Sequence, residues 1–166
     1  MHRSIVSGAE RMRALRTLIA CAATAAVLVA GVTRVLSQNG SFIATPEQPA
    51  TLTIARPPAN DIFLDLWLKA YTPPRQGSVE AVVSLGPQDG EPMEIGRFTF
   101  FPGGPFAAAG ARDERAFRFN ASKALNLIKA GDAALAVRVA LIPNDEKISP
   151  QGAKIIVSRA KFSPRP

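Results

Sequence analysis

The sequence predicts a mainly β protein: an antiparallel, jelly-roll-like β-sandwich of about seven strands with one short helix, behind an N-terminal transmembrane helix. Three observations lead there. Short runs of alternating apolar residues recur between Pro and Gly clusters along residues 51–162, which is how half-buried strands joined by turns are written. A single stretch has helical spacing with its own start and stop signals, too little helix for a parallel α/β sheet. A charge-free apolar run near the N-terminus is separated from the rest by a polar, turn-rich segment.

Four segments follow: a basic cytoplasmic N-terminus (residues 1–16), a transmembrane anchor or signal segment (17–36), a linker (37–50) and the sandwich (51–166). Thr17–Thr33 (TLIACAATAAVLVAGVT) carries no charge between Arg16 and Arg34. A helical span needs about 17–25 apolar residues, and Leu15, Val35 and Leu36 extend this one if Arg34 snorkels to the interface. Arg3, Arg11, Arg13 and Arg16 precede the run and only Arg34 closely follows it, so the positive-inside rule keeps the N-terminus cytoplasmic and places the body in the periplasm or outside the cell. Val35-Leu36-Ser37 offers a small-residue cleavage site before Gln38, and cleavage there would make the body a secreted protein. Arg34 between the run and that site favours an uncleaved anchor. Leu18-Ile19-Ala20-Cys21 has the letters of a lipoprotein box, but the apolar stretch follows Cys21 instead of preceding it. Cys21 therefore reads as a helix-packing or lipid-facing residue.

The body begins at Thr51, after the linker SQNGSFIATPEQPA. Its predicted strands are Thr51–Ala55, Asp61–Tyr71, Ser78–Leu85, Met93–Phe101, Arg115–Phe119, Ala134–Ile142 and Lys154–Phe162. Leu135, Val137, Val139 and Leu141 share one face. Asn120 N-caps a helix over Ala121–Ala130, with Ala124, Leu125 and Ile128 on its apolar stripe and Gly131 as its stop.

The inventory of reactive side chains narrows the function. His2 and Cys21 are the only His and Cys, so a Ser-His-Asp triad, a Cys-His dyad and a His/Cys metal cluster all lack their parts. The chain is read as a non-enzyme without a cofactor. The net charge of +7 raises the question of nucleic acid, but four of those units lie in residues 1–37. The body is mildly basic with signs interspersed, and lacks the positive stripe that neutralises phosphates.

Several residues invite a functional reading. On Asp61–Tyr71 the even positions Ile62, Leu64, Leu66, Leu68 and Ala70 form a core face. The odd positions Phe63, Trp67 and Tyr71 form an aromatic row with a spacing of about 13 Å. If exposed, that row is a stacking platform for sugar rings; if buried, it is ordinary second-face packing, the commoner use of such residues. Asp113-Glu114 and Asp145-Glu146 are acidic pairs read as solvated loop charge, since neither has an EF-hand ligand rhythm. Gly103-Gly104 and Gly110 punctuate a loop without the Lys and helix of a phosphate-binding turn. Asn120-Ala121-Ser122 fits the glycosylation tripeptide.

The stretch Gly96–Phe101 (GRFTFF), the Pro/Gly loop after it, Ala116–Asn120 (AFRFN) with its short helix containing Ala124-Leu125, then LAVRVALIP and AKIIVSRAKF, resemble in kind and order the C-terminal β-sandwich of tyrosinases and polyphenol oxidases. TLTIARPP resembles that domain's opening strand, so the likeness covers residues 51–162. Asn120 stands where an Asp is common, and the family's six-histidine dicopper domain has no counterpart in this sequence. In that family the dicopper domain oxidises phenols while the sandwich packs over the active-site mouth and masks it. The resemblance thus implies a partner, a tyrosinase-like copper oxidase, and a masking aromatic side chain carried on a loop. Phe106, after Gly103-Gly104-Pro105, is the candidate mask; its alternative role is to anchor that loop to the sandwich.

The expected function is a non-catalytic, membrane-tethered extracytoplasmic sandwich that binds, masks or positions such an oxidase. Two other classes stand beside it: a glycan- or polymer-binding module using Phe63, Trp67 and Tyr71, and an accessory subunit of an unrelated membrane complex. Exposure of the aromatic row separates the glycan reading from the others.

Overall fold

Alternating Val and Leu residues make the strands. In β4 (Val79–Pro87), Val79, Ala81, Val83 and Leu85 point inward, and in β8 (Ala134–Pro143), Leu135, Val137, Val139 and Leu141 do the same. The computed structural model describes residues 41–100 and 103–165. The segments read as cytoplasmic N-terminus and membrane anchor lie outside the described residues. Among the described residues no helix is long and apolar enough to cross a membrane.

Among the described residues, nine strands form two antiparallel sheets. The other seven are β1 (Phe42–Ala44), β2 (Ala50–Ala55), β3 (Phe63–Thr72), β5 (Met93–Thr99), β6 (Phe106–Ala107), β7 (Arg115–Asn120) and β9 (Lys154–Ser163). The first sheet runs β1-β9-β3, with β6 and β7 both on the far side of β3; the second runs β2-β8-β4-β5. The inward side chains of both sheets join in one core, in which Leu64, Leu66, Leu68, Leu85, Leu135 and Ile155 are fully buried. Each such side chain taken out of water contributes roughly 1.5–3 kcal/mol before chain entropy is charged against it.

The seven predicted strands are present, and two short ones join them. β1 lies within residues 37–50, so that stretch is not purely a linker: Phe42, Ile43 and Ala44 pair with Val157, Ile156 and Ile155. Thr45 and Gln48 then close a tight turn through mutual backbone hydrogen bonds of 2.8 and 3.3 Å, and the chain crosses to β2 in the second sheet. β6 lies in the segment predicted as a Pro/Gly loop and pairs Phe106 and Ala107 with Tyr71 and Ala70. Strands of three and two residues are too short to show a period.

The helix α1 (Ser122–Leu127) is shorter than the predicted Ala121–Ala130. Its N-cap is Ala121, not Asn120. Asn120 acts one residue earlier, its Oδ1 accepting from the Ser122 backbone N–H at 3.0 Å and from the Ser122 hydroxyl at 2.7 Å, an Asx turn that starts the helix. At the other end Ile128 turns extended and enters the core with Ala121 and Ala124. The freed carbonyls are taken by Arg56, whose guanidinium donates to Lys129 O at 2.6 Å and to Leu125 O and Ile128 O at 3.2 Å each. A cation at a helix C-terminus also complements the helix dipole. Arg56→Ala is expected to cost about 1–2 kcal/mol. Arg56→Lys should recover less than half of that, because an ammonium lacks the planar fork that reaches three carbonyls. Denaturant midpoints of the two variants check this; equal midpoints for Lys and Arg would refute the fork.

Candidate functional site

The aromatic row of β3 is broken by its own strand. Trp67 pairs with Arg159 of β9, Leu68 with Val157 and Ala70 with Ile156. Ser158 and Lys69 are therefore extra residues that shift the register on each strand in turn. Before the irregularity Leu64, Leu66 and Leu68 face the core; after it Tyr71 does, only 4% exposed, while Ala70 leaves the fully buried face. A one-residue bulge reverses which parity faces inward. The three-ring platform of Phe63, Trp67 and Tyr71 does not form. Tyr71 instead stacks on Phe100, ring centroids 3.7 Å apart, and burial raises its phenol pKa above the usual value.

Phe63 and Trp67 remain on the outer face, half-buried, and each has an arginine above its ring. The Arg159 guanidinium lies 4.6 Å from the Trp67 centroid and that of Arg118 lies 5.9 Å from Phe63. Between the two rings sits Asp65, 8% exposed, flanked in register by Arg118 on β7 and Lys161 on β9. Arg118 grips both carboxylate oxygens, at 2.6 and 3.0 Å, and this bidentate bond holds the Asp65 carboxyl below the usual carboxylate range against the opposing effect of burial. Arg159 is fixed by a single bond, its Nη1 donating to one Glu114 carboxylate oxygen 2.5 Å away. Glu114 was expected as solvated charge; its side chain is 8% exposed and locked in that ion pair. Its neighbour Asp113 accepts the Gly110 N–H at 3.1 Å, and Asp145 accepts the Lys147 N–H at 2.9 Å, so both close turns.

The outer face is thus a layer of ion pairs over two aromatic rings. A sugar ring could stack on Trp67 only by displacing Arg159 from Glu114. The depressed Asp65 pKa gives a signed prediction. A carboxyl whose folded pKa lies below its unfolded value near 3.8 stabilises the fold in full above that value, and the stabilisation is lost as pH falls through the lower folded pKa. Asp65→Asn should therefore destabilise the sandwich at neutral pH and flatten the decline in stability below about pH 4. Melting curves from pH 7 to pH 2 check it; an unchanged pH slope would show that the pair contributes nothing.

Phe106 is held in β6 at the edge of the first sheet, not on a free loop. Opposite Tyr71 in register, it lies 6.1 Å from the Phe100 ring and is covered by Arg115, whose guanidinium sits 4.2 Å from its centroid. Behind it runs an aromatic cluster: Phe98 stacks on Phe117 at 4.1 Å and meets Phe100 edge-on at 5.5 Å. Phe106 thus anchors the end of the exposed segment Gly103-Gly104-Pro105, while its ring occupies the rim of this cluster beneath a single exposed cation. The arginines Arg115, Arg118 and Arg159 carry much of this geometry and were not singled out from the sequence. Their signal is cross-strand, since each meets its ring or carboxylate only once the register is known.

Among the described residues no group of three or more His, Cys, Asp and Glu stands close enough to hold a metal. A cleft of about 610 Å³ lies at the opposite end of the second sheet, between the β4–β5 turn and α1 with the segment after it. A smaller polar cleft of about 290 Å³ lies beside Lys69, Glu114 and Arg159. No protein-family model matches this chain, and neither does any curated protein or any solved structure.

Proposed function

We propose that this chain is a non-catalytic binding module, held outside the membrane by residues 17–36, that docks on a tyrosinase-like copper oxidase and covers the mouth of its phenol site. The partner class rests on the sequence resemblance. The observation that carries the docking mode is the preorganised aromatic edge: Phe106 pinned opposite Tyr71, with the exposed Gly103-Gly104-Pro105 segment leading into it. An edge already ordered by strand pairing loses little entropy on contact. The loss of the three-ring platform weighs against the glycan-binding alternative, since only Phe63 and Trp67 stay outside and each is capped by arginine.

Arg115 separates anchoring from masking better than Phe106 does. Phe106→Ala removes a packed ring, and so destabilises the edge whether or not the ring also masks a partner. Arg115→Ala uncovers the ring and leaves its contacts with Phe100 in place. If the ring enters the oxidase pocket, Arg115→Ala should strengthen inhibition of monophenol oxidation severalfold, with the melting temperature nearly unchanged. Phe106→Leu, which keeps the edge apolar, should relieve inhibition. Inhibition indifferent to both substitutions would reject Phe106 as the masking group.

A further inference from the structure

The 610 Å³ cleft lies away from that edge, because Pro87 and Met93 are at the opposite ends of β4 and β5 from Val79 and Thr99. Its floor is apolar and belongs to the core: Leu85, Ala124 and Ile128, with Met93 packed beside them. On its border stands Leu127, 66% exposed. A single exposed leucine needs no explanation. This one continues the apolar floor outward to solvent, one turn along the same side of α1 from the buried Ala124.

The rim has its own sign. Asp89 and Glu91 on the β4–β5 turn and Asp132 after α1 line the cleft against one cation, Lys129. The ion pairs among the described residues involve none of these three acids. The cleft is therefore an acidic rim around an apolar floor, on a chain whose net charge is +7. Its volume of about 610 Å³ is within the range of sites that take a few side chains.

We propose that this cleft is a second docking site, for a cationic segment of a partner protein that inserts an apolar side chain between flanking lysines or arginines. The apolar side chain would cover Leu127 and Met93, and the flanking cations would pair with Asp89, Glu91 and Asp132. Charge of that pattern selects the partner and speeds encounter, while the apolar insertion holds it. The site is independent of the oxidase-docking edge.

The test uses the full chain in zwitterionic nanodiscs and a labelled peptide bearing a Leu-Phe pair flanked on both sides by lysines, with binding read by fluorescence anisotropy. The wild-type chain should bind it in a salt-sensitive manner, and a peptide with glutamates in place of the lysines should not bind. Leu127→Ser should weaken binding about fivefold or more, because less apolar surface is covered; with Leu127 already exposed, the melting temperature should hold. Asp89→Lys combined with Glu91→Lys should weaken it at least tenfold and flatten the salt dependence. Equal binding of the glutamate peptide would overturn the proposal in favour of a plain apolar pocket. Equal affinity in every variant would overturn it in favour of peptide adsorbed to lipid. Self-association that disappears in Leu127→Ser would overturn it in favour of a second copy of this chain.

Discussion

Gly96→Val is expected to destabilise the sandwich by about 3 kcal/mol, although valine is the better strand former. Gly96 pairs with Val83 in the second sheet, and a Cβ added there would lie 2.6 Å from Phe119 Cδ1 and 3.1 Å from its Cε1. Phe119 has little room to retreat. It is buried, paired opposite Leu64 on β3, with the Phe98 ring 6.1 Å away. The Phe119 ring of one sheet thus sits against a position of the other that has no side chain. Phe119→Ala alone should cost about 3–5 kcal/mol through the cavity it leaves. In the double variant valine fills part of that cavity, so the combined loss should fall short of the sum by at least about 1 kcal/mol. Urea denaturation at constant slope measures all three. A stabilising Gly96→Val would mean that local strand propensity outweighs the inter-sheet contact.

The second large effect concerns where the domain begins. A fragment starting at Thr51 should be about 2–4 kcal/mol less stable than one starting at Gln38, and more prone to aggregate. The shorter fragment loses the three β1 pairings to β9, the turn at Thr45–Gln48, and Ala44 and Ala50, which are both buried. It also turns β9, rich in Ile and Val, into an open edge, a template for pairing with other chains. Thermal midpoints and light scattering on the two fragments test this. Equal midpoints would make β1 an ornament on a domain that is complete from Thr51.

Much of this architecture was legible in the chain because periodicity reports burial directly. Val79 to Leu85 and Leu135 to Leu141 read as strands and are strands, and Leu135, Val137, Val139 and Leu141 share one buried face as expected. What stayed hidden depends on register. Tyr71 falls on the same parity as Phe63 and Trp67, and nothing local marks Lys69 and Ser158 as the residues that shift the pairing. The same shift decides that Arg159 lies over Trp67. β1 and β6 have no sequence signature because two or three residues set among Pro and Gly carry no period, and their pairing partners are distant in sequence. Glu114 looked like half of a solvated acidic pair, yet it is held by an arginine 45 residues away. The cleft around Leu127 is assembled from the end of β4, the turn after it, and α1 with the segment beyond it, pieces that no linear motif joins.

Docking on a tyrosinase-like oxidase is tested most directly by one paired titration. The full-length chain in nanodiscs is added to such an enzyme, and association and the initial rate of monophenol oxidation are followed on the same samples. Saturable association is expected, with the rate falling in proportion to the fraction of oxidase bound and no phenol oxidation by the chain alone in excess copper. Absence of association at concentrations well above the micromolar range, or association that leaves the monophenol rate unchanged, would contradict it.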